Sequence, residues 1–183
     1  MARLFRRLIF PHYKEYEEEP TDFDFQHLGQ DFGYATDVSA TVKVTKKGNA
    51  LYLREMIYQL GLLNSDLAPL LRPLTQDMIV VCDTSPSQNI DELRALDIPA
   101  VPAKKGAGSV EWQIQAMQGM DIFVHKDSHN LKNELGKFRW AKNADGSYKY
   151  NSLFQRVPVQ NVHDDAIAAA RYGSTYYMNF EEN

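Results

Sequence analysis

The stretch His27-Leu28-Gly29-Gln30-Asp31-Phe32-Gly33-Tyr34-Ala35-Thr36-Asp37-Val38 decides how the rest of the chain is read. A short apolar-edged run reaches a carboxylate at Asp31 and leaves through Gly33 into a polar turn. Beyond it Val38, Ala40, Val42 and Val44 alternate with Ser39, Thr41, Lys43 and Thr45, the period-two pattern of strands. Two antiparallel strands are expected. Side chains on a strand point alternately to opposite faces, so Asp31 shares a face with Gly29 and Gly33, and open space is expected above the carboxylate. A single Asp ahead of Phe-Gly is also ordinary turn chemistry, so its meaning depends on what else the chain brings to it.

Downstream, Lys47-Gly48-Asn49 supplies a turn and Leu51 to Tyr58 reads as a third strand, which completes an antiparallel meander. The pattern then changes to alternating helix and strand. Asn64-Ser65-Asp66 is a capping cluster ahead of Leu67, Leu70 and Leu71, with Pro69 near the first turn. Met78 to Cys82 is a continuous apolar run, typical of a strand buried on both faces, and Asp83 follows it directly. Ser85 as N-cap, Pro86 at the first helical position and Gln88 three residues after the cap predict a helix start. Asp83 is therefore expected at the C-terminal edge of a buried strand, where open α/β sheets bind ligands. Strands are predicted at Ile98 to Val101 and Asp121 to Val124, and helices from Ser109 as cap and from Ser128 to Leu135, stopped by Gly136. Phe138, Trp140 and Lys142 face Tyr148 and Tyr150 across Asn143-Ala144-Asp145-Gly146 in a predicted hairpin. The last helix is expected from about Asn161 to Gly173, with an apolar face through Val162, Ala166, Ala169 and Ala170 and with Asp164 and Asp165 in its first turn.

Composition narrows the function classes. With 183 residues, 44% of them hydrophobic, the chain can bury one sizeable core, and one domain is expected over residues 27–173. Residues 1–26, with the acidic run Glu15, Glu17, Glu18 and Glu19, read as a leader outside that core, and residues 174–183 as a C-terminal tail. Arginines break the apolar start and Pro11 ends it, so it reads as neither a secretion signal nor a membrane span. A lone cysteine, Cys82, excludes an internal disulfide framework and suits a reducing compartment. The formal net charge of -4 excludes a generally basic coat for nucleic acid, so any polyanion contact must come from a local patch.

Such a patch is present in the second half. Lys104, Lys105, Lys126, Arg139, Lys142 and Lys149 lie in a stretch where bases outnumber acids, whereas the segment from Glu15 to Asp37 carries only acidic charges. Phosphate contacts need a local excess of this kind, although a solvated face has the same look. The carboxylates form the other constellation: Asp31, Asp83 and the pair Asp164-Asp165, from three distant segments. Magnesium and similar hard cations want oxygen ligands, and two of them close together activate water and stabilise a phosphoryl transition state. Taken singly, each residue also has a structural use as turn former, pre-helical carboxylate or helix-start acid. His163 reads as a helix-start residue, since magnesium prefers oxygen, and Ser109 as a cap.

An Asp on the first strand of a meander, a helix, a fourth strand ending in Asp and a late acidic helix is an order that resembles the ribonuclease H-like nucleases. Asp31-Phe32-Gly33-Tyr34 with Thr36-Asp37, Val81-Cys82-Asp83 with Ser85-Pro86, and Lys104-Lys105-Gly106 with Gly108-Ser109-Val110 resemble motifs of the C-terminal nuclease domain of the tailed-bacteriophage large terminase subunit. So do Asn130-Leu131 to Glu134 leading into Trp140, and His163-Asp164-Asp165-Ala166 with Arg171-Tyr172-Gly173. Many relatives bring the last Asp-Ala closer to the Arg-Tyr pair than this chain does, so Asp164 and Asp165 both stay open as the third ligand. The resemblance implies an α/β ribonuclease H-like mixed sheet flanked by helices, with an added β-hairpin. It implies cutting of concatemeric double-stranded DNA during packaging, with a pair of Mg2+ or Mn2+ ions. Asp31 would bridge both ions, Asp83 would bind one, and Asp164 the other with Asp165 beside it. The implied partners are an ATPase domain of the same large terminase, the small terminase subunit and the portal, in the cytoplasm of an infected bacterial host. No G-x-x-x-x-G-K-[ST] loop occurs, so ATP hydrolysis is not expected from this chain by itself. A Holliday-junction resolvase or transposase-like nuclease would use the same carboxylate logic, and a docking module of the packaging motor would use the acids structurally.

Overall fold

The structure, a computed structural model, describes residues 8–33, 36–106, 108–159 and 163–178. The alternating stretch at its centre forms the meander: β2 (Phe25–Asp31), β3 (Val38–Lys47) and β4 (Ala50–Leu60) pair antiparallel, after a short β1 (Lys14–Tyr16). The buried run Val80–Cys82 is β5, parallel to β2, and Ala100–Pro102 is β6, parallel to β5. Asp121–His125 is β7, parallel to β4 on the other flank, and β1 pairs with its outer edge. The seven-stranded order is β1-β7-β4-β3-β2-β5-β6. Every strand but β3 runs the same way, so their C-terminal ends collect along one edge.

The leader reading of residues 1–26 is overturned for its described part. Ile9 and Phe10 are 1% and 3% exposed in the main core, and β1 is an edge strand of the sheet. An apolar pair bounded by arginines and Pro11 looked like an end, but the Ile9 N–H donates to the Phe138 carbonyl at 2.9 Å and ties the segment to the body.

Five α-helices occur among the described residues: α1 (Asn64–Leu71), α2 (Gln88–Ala95), α3 (Ser109–Gln118), α4 (His129–Leu135) and α5 (Asp165–Thr175). None is long and apolar enough to cross a membrane. Several expected caps moved. α2 starts at Gln88 rather than after Ser85, because the Asp83 carboxylate accepts the Ser85 N–H at 3.0 Å and residues 85–87 form a turn first. Leu63, not the Asn-Ser-Asp cluster, stands at the α1 N-cap, since Asn64 Nδ2 is used by Asn89 and Glu92 of α2, and Pro69 falls inside the helix. Gly108 takes the α3 N-cap in place of Ser109, at a φ of +86° that favours glycine. The hairpin after α4 is enlarged by a third segment, so Tyr150 bridges Arg156 and Trp140 bridges Pro158.

The placement of α5 matters most. The expected start near Asn161 and the face through Val162 lie outside the described residues; the helix begins at Asp165 and continues past Gly173 to Thr175. It is buried on all sides from Ala166 to Thr175, not along one stripe, because it lies against β2 and β3 with α3 and α4 packed on it. Gly29 and Gly173 allow this. A Cβ on Gly29 would stand 1.8 Å from the Ala169 carbonyl oxygen, so the space expected above Asp31 at Gly29 is filled by the α5 backbone.

The N-terminus of α5 is held by a relay from β4. An extra residue, Met56, bulges from β4 where Thr41 pairs with Ile57 and Val42 with Glu55. Glu55 accepts from Asn130 Nδ2 at 2.7 Å and from the Leu131 N–H at 2.8 Å, fastening the start of α4. From α4 the buried Glu134 accepts the Ile167 N–H and the Tyr58 hydroxyl, each at 3.0 Å. A carboxylate at a helix N-terminus satisfies donors that the helix cannot.

Gly29→Ala should lower stability by about 3 kcal/mol or more, since neither backbone can retreat from the other. Gly119→Ala, whose Cβ meets nothing nearer than 3.5 Å, is the comparison. Equal urea midpoints for the two variants would refute this account of the crossing. Burial pushes the Glu134 carboxyl up to about 7, against the pull of the Ile167 and Ala166 amides. The folded protein thus keeps a proton that the unfolded chain releases, and the stability this gives at low pH is lost as pH rises through that value. Thermal midpoints of Glu134→Gln should fall less steeply than wild type between about pH 5 and pH 8; parallel curves would show that Glu134 does not titrate in this way.

Candidate active site

Gln30 of β2 lies opposite Cys82 of β5, so the next residues, Asp31 and Asp83, stand side by side where both strands end. The Asp83 N–H donates to the Gln30 carbonyl at 3.0 Å and continues the ladder to that point. Adjacent strands are about 4.8 Å apart, so the two carboxylates start from neighbouring backbones. Gln30 also steadies Asp31: it accepts from Thr41 Oγ1 in the buried interior and donates from Nε2 to the Asp31 carbonyl at 2.7 Å.

α5 brings the other acids to this edge. Asp164 is its N-cap residue and Asp165 its first residue. Burial, then the negative charges of Asp83 and Asp165, push the Asp31 carboxyl up to about 8, while Arg171 and Lys105 pull it back. Burial also raises Asp164 and Asp165. For Asp164 the strongest opposing charge is Arg171; for Asp165 it is His163, whose Nδ1 lies 3.5 Å from Asp165 Oδ2. That same oxygen is buried and lacks a hydrogen bond among the described residues.

Cations and a phenol balance the cluster. The Lys105 ammonium pairs with Asp83 Oδ1 and lies 5.1 Å from the centre of the Tyr172 ring. The Tyr172 hydroxyl stands 3.5 Å from Asp83 Oδ2, and burial together with the charge of Asp31 raises its pKa, so it stays protonated. Arg171, 5% exposed, donates to Gln113 Oε1 at 2.6 Å and leaves its buried Nε without a partner among the described residues. Sequence reasoning missed Arg171 as a buried counter-charge, as well as the roles of Glu55 and Glu134; an arginine inside an alanine-rich helix was the available signal.

Among the described residues no three His, Cys, Asp or Glu side chains are gathered tightly enough to coordinate an ion as they stand. Lys105 holds one oxygen of Asp83 instead. The donor set still suits a hard divalent cation: carboxylate oxygens, one of them buried without a hydrogen bond among the described residues, around an Asp31 whose charge its own neighbours disfavour.

The basic residues are less concentrated than their sequence spacing suggested. Lys105 reaches the carboxylates, and Lys104 Nζ donates to the Met178 carbonyl at 2.8 Å. Arg139, Lys142 and Lys149 are exposed on the hairpin. Lys126 pairs with Glu17 at 2.9 Å, beyond β7, with β4 and β3 between it and the β2 acids. A cleft of about 450 Å³ opens beside Asp164, lined also by Arg171, Arg156, Gly106, Gly108 and Ser109. A larger groove, about 770 Å³, begins at Phe32-Gly33 and Ser85-Pro86, directly after the two strand-end acids.

No protein-family model and no curated protein matches the sequence. Solved structures do match. The nuclease domain of the g2p large terminase from bacteriophage SPP1, with bound Mn, superposes with a TM-score of 0.73 at 22% identity over 91% of this chain and 97% of that one. The large terminase nuclease from thermophilic phage G20c, with bound magnesium, gives 0.64 at 22% identity over 92% and 97%. A large terminase from another thermophilic bacteriophage, in complex with ATP-gamma-S, gives 0.72 at 15% identity over 94% of this chain, which spans 46% of that protein. The mixed sheet, the flanking helices and the carboxylates at its C-terminal edge thus belong to a chain with the ribonuclease H-like fold of bacteriophage large terminase nuclease domains.

Proposed function

We propose that this chain is the nuclease domain of a bacteriophage large terminase and cuts concatemeric double-stranded DNA in a divalent-metal-dependent hydrolysis. The observation that carries the reading is the convergence of Asp31, Asp83 and the α5 acids at one sheet edge, where Asp83 and Asp165 disfavour the charge of Asp31. Structural neighbours with bound Mn and magnesium support it. Residues 27–173, enlarged by residues 8–16 and by the end of α5, form the nuclease unit in this reading. The longer terminase bound to ATP-gamma-S, about twice the length of this chain, motivates an ATPase domain in the same polypeptide, with the small terminase subunit and portal as further partners in the cytoplasm of the infected host.

Asp31, Asp83 and Asp165 would hold Mg2+ or Mn2+, with Asp164 alongside. The order of the last two differs from the sequence expectation because Asp165, not Asp164, is among the charges acting most on Asp31. Such ions, when bound, neutralise phosphoryl charge and lower the pKa of water. The chain's own groups do the remaining work. Tyr172, kept protonated, faces Asp83, and Arg171 offsets carboxylate charge from within the helix layer. Lys105 is a cation at the point where a DNA phosphate would approach, and Lys104, Arg139, Lys142 and Lys149 extend positive charge away from it. Lys126, committed to Glu17, is left out of this face.

Purified protein should nick supercoiled plasmid with Mn2+ and not with EDTA, and Asp31→Asn should lose about 10²- to 10³-fold in rate, the scale expected for removing preorganised transition-state stabilisation. Undiminished cutting by Asp31→Asn would reject the reading, and cutting confined to four-way junctions would redirect it to a resolvase. Comparing Asp164→Asn with Asp165→Asn in Mn2+ assigns the third ligand: the Asp165 variant should show the larger loss and the weaker Mn2+ binding by calorimetry. The reverse ranking would restore Asp164 to that role.

A further inference from the structure

Phe154 is 89% exposed and has a φ of +57°, in the left-handed region where a bulky side chain is rare. The turn holding it is closely tied. Asn151 Oδ1 accepts the Leu153 N–H at 2.9 Å and the Gln155 N–H at 3.0 Å, and its Nδ2 donates to Gln155 Oε1 at 3.1 Å. On the backbone, the Asn151 N–H donates to the Gln155 carbonyl at 2.9 Å and the Phe154 N–H to the Asn151 carbonyl at 3.1 Å. Leu153 beside it is 51% exposed, so two large apolar side chains are presented to water from a stiff apex. Glycine or asparagine would meet the backbone requirement at position 154 without exposing a ring.

The surroundings say what such an apex meets. Residues 137–156 carry Lys137, Arg139, Lys142, Lys149 and Arg156 against Asp145 alone, in a chain of net charge -4. Arg156 is paired with Glu111 at 3.0 Å and lies 4.6 Å from the centre of the Trp140 ring, which anchors the segment to the core; the other four bases enter no ion pair among the described residues. The turn also borders the cleft of the acidic site, since Asn151 and Gln155 line it together with Asp164. An apolar tip with a basic surround beside a phosphodiesterase site is complementary to duplex DNA. Phe and Leu wedges of this kind enter the minor groove and part a base step.

We propose that Leu153 and Phe154 form a wedge that inserts against a base step of the duplex lying over the carboxylate edge, unstacking it and setting the strand at the site. The inference rests on the nuclease reading above. Its test uses a duplex with 2-aminopurine at several positions, whose emission rises on unstacking, titrated with the protein in EDTA so that nothing is cut, alongside plasmid nicking in Mn2+. Wild type should raise the emission at least twofold. Phe154→Gly, which removes the ring and suits the left-handed backbone, should abolish the rise and slow nicking about tenfold, with duplex affinity within threefold of wild type. Phe154→Leu should restore most of both. If wild type cuts plasmid but Phe154→Gly matches it in emission and rate, the wedge is refuted while the nuclease reading stands. If wild type neither binds duplex nor cuts, both fall.

Discussion

The contact on which this architecture depends is the meeting of two backbones at Gly29 and Gly173. A strand and a helix approach so closely there that no side chain fits between them. Helices usually pack on sheets through interdigitating side chains, which would hold α5 further from β2. Removing side chains from both partners lowers the helix onto the strand, and the residues just ahead, Asp164 and Asp165, come to the edge where β2 and β5 end. The acidic site is a consequence of that close approach. The alanines at 166, 168, 169 and 170 serve the same end by keeping every side of the helix thin enough for neighbours to close around it.

Gathering four carboxylates has an electrostatic cost, and the structure shows how it is distributed. Desolvation and mutual repulsion fall most heavily on Asp31, which Asp83 and Asp165 both repel. Lys105 pairs with Asp83, while Arg171 is buried behind the cluster, where solvent cannot screen it. One counter-charge is at the surface and exchangeable, and the other is built into the core.

Much of this was legible from residue patterns. Period-two alternation gave the meander, and the apolar run to Cys82 gave the buried strand with Asp83 at its end. What was not legible depended on partners remote in sequence. Gly29 reads as space in a single strand and becomes a seat only when Gly173, far along the chain, arrives above it. The Ser85 cap failed because a nearer acceptor, the Asp83 carboxylate, captured the Ser85 N–H. Ile9 and Phe10 looked like a frayed end because nothing local shows that Phe138 is waiting for them. Lys126 counted toward a basic face by spacing alone, and Glu17, from a segment read as an idle leader, claims it.

The bulge at Met56 carries a lesson about insertions and deletions. Glu55 and Tyr58 are three residues apart, so in a regular strand they would point to opposite layers. The extra residue changes the parity between them, and both reach the layer of α4 and α5: one fastens the start of α4, the other shares Glu134 with α5. Their common orientation depends on a count of residues, not on the identity of the side chain at position 56. Position 56 can exchange amino acids with modest effect, but losing a residue here would turn Tyr58 away from its carboxylate. Length, in this part of the chain, is the inherited character.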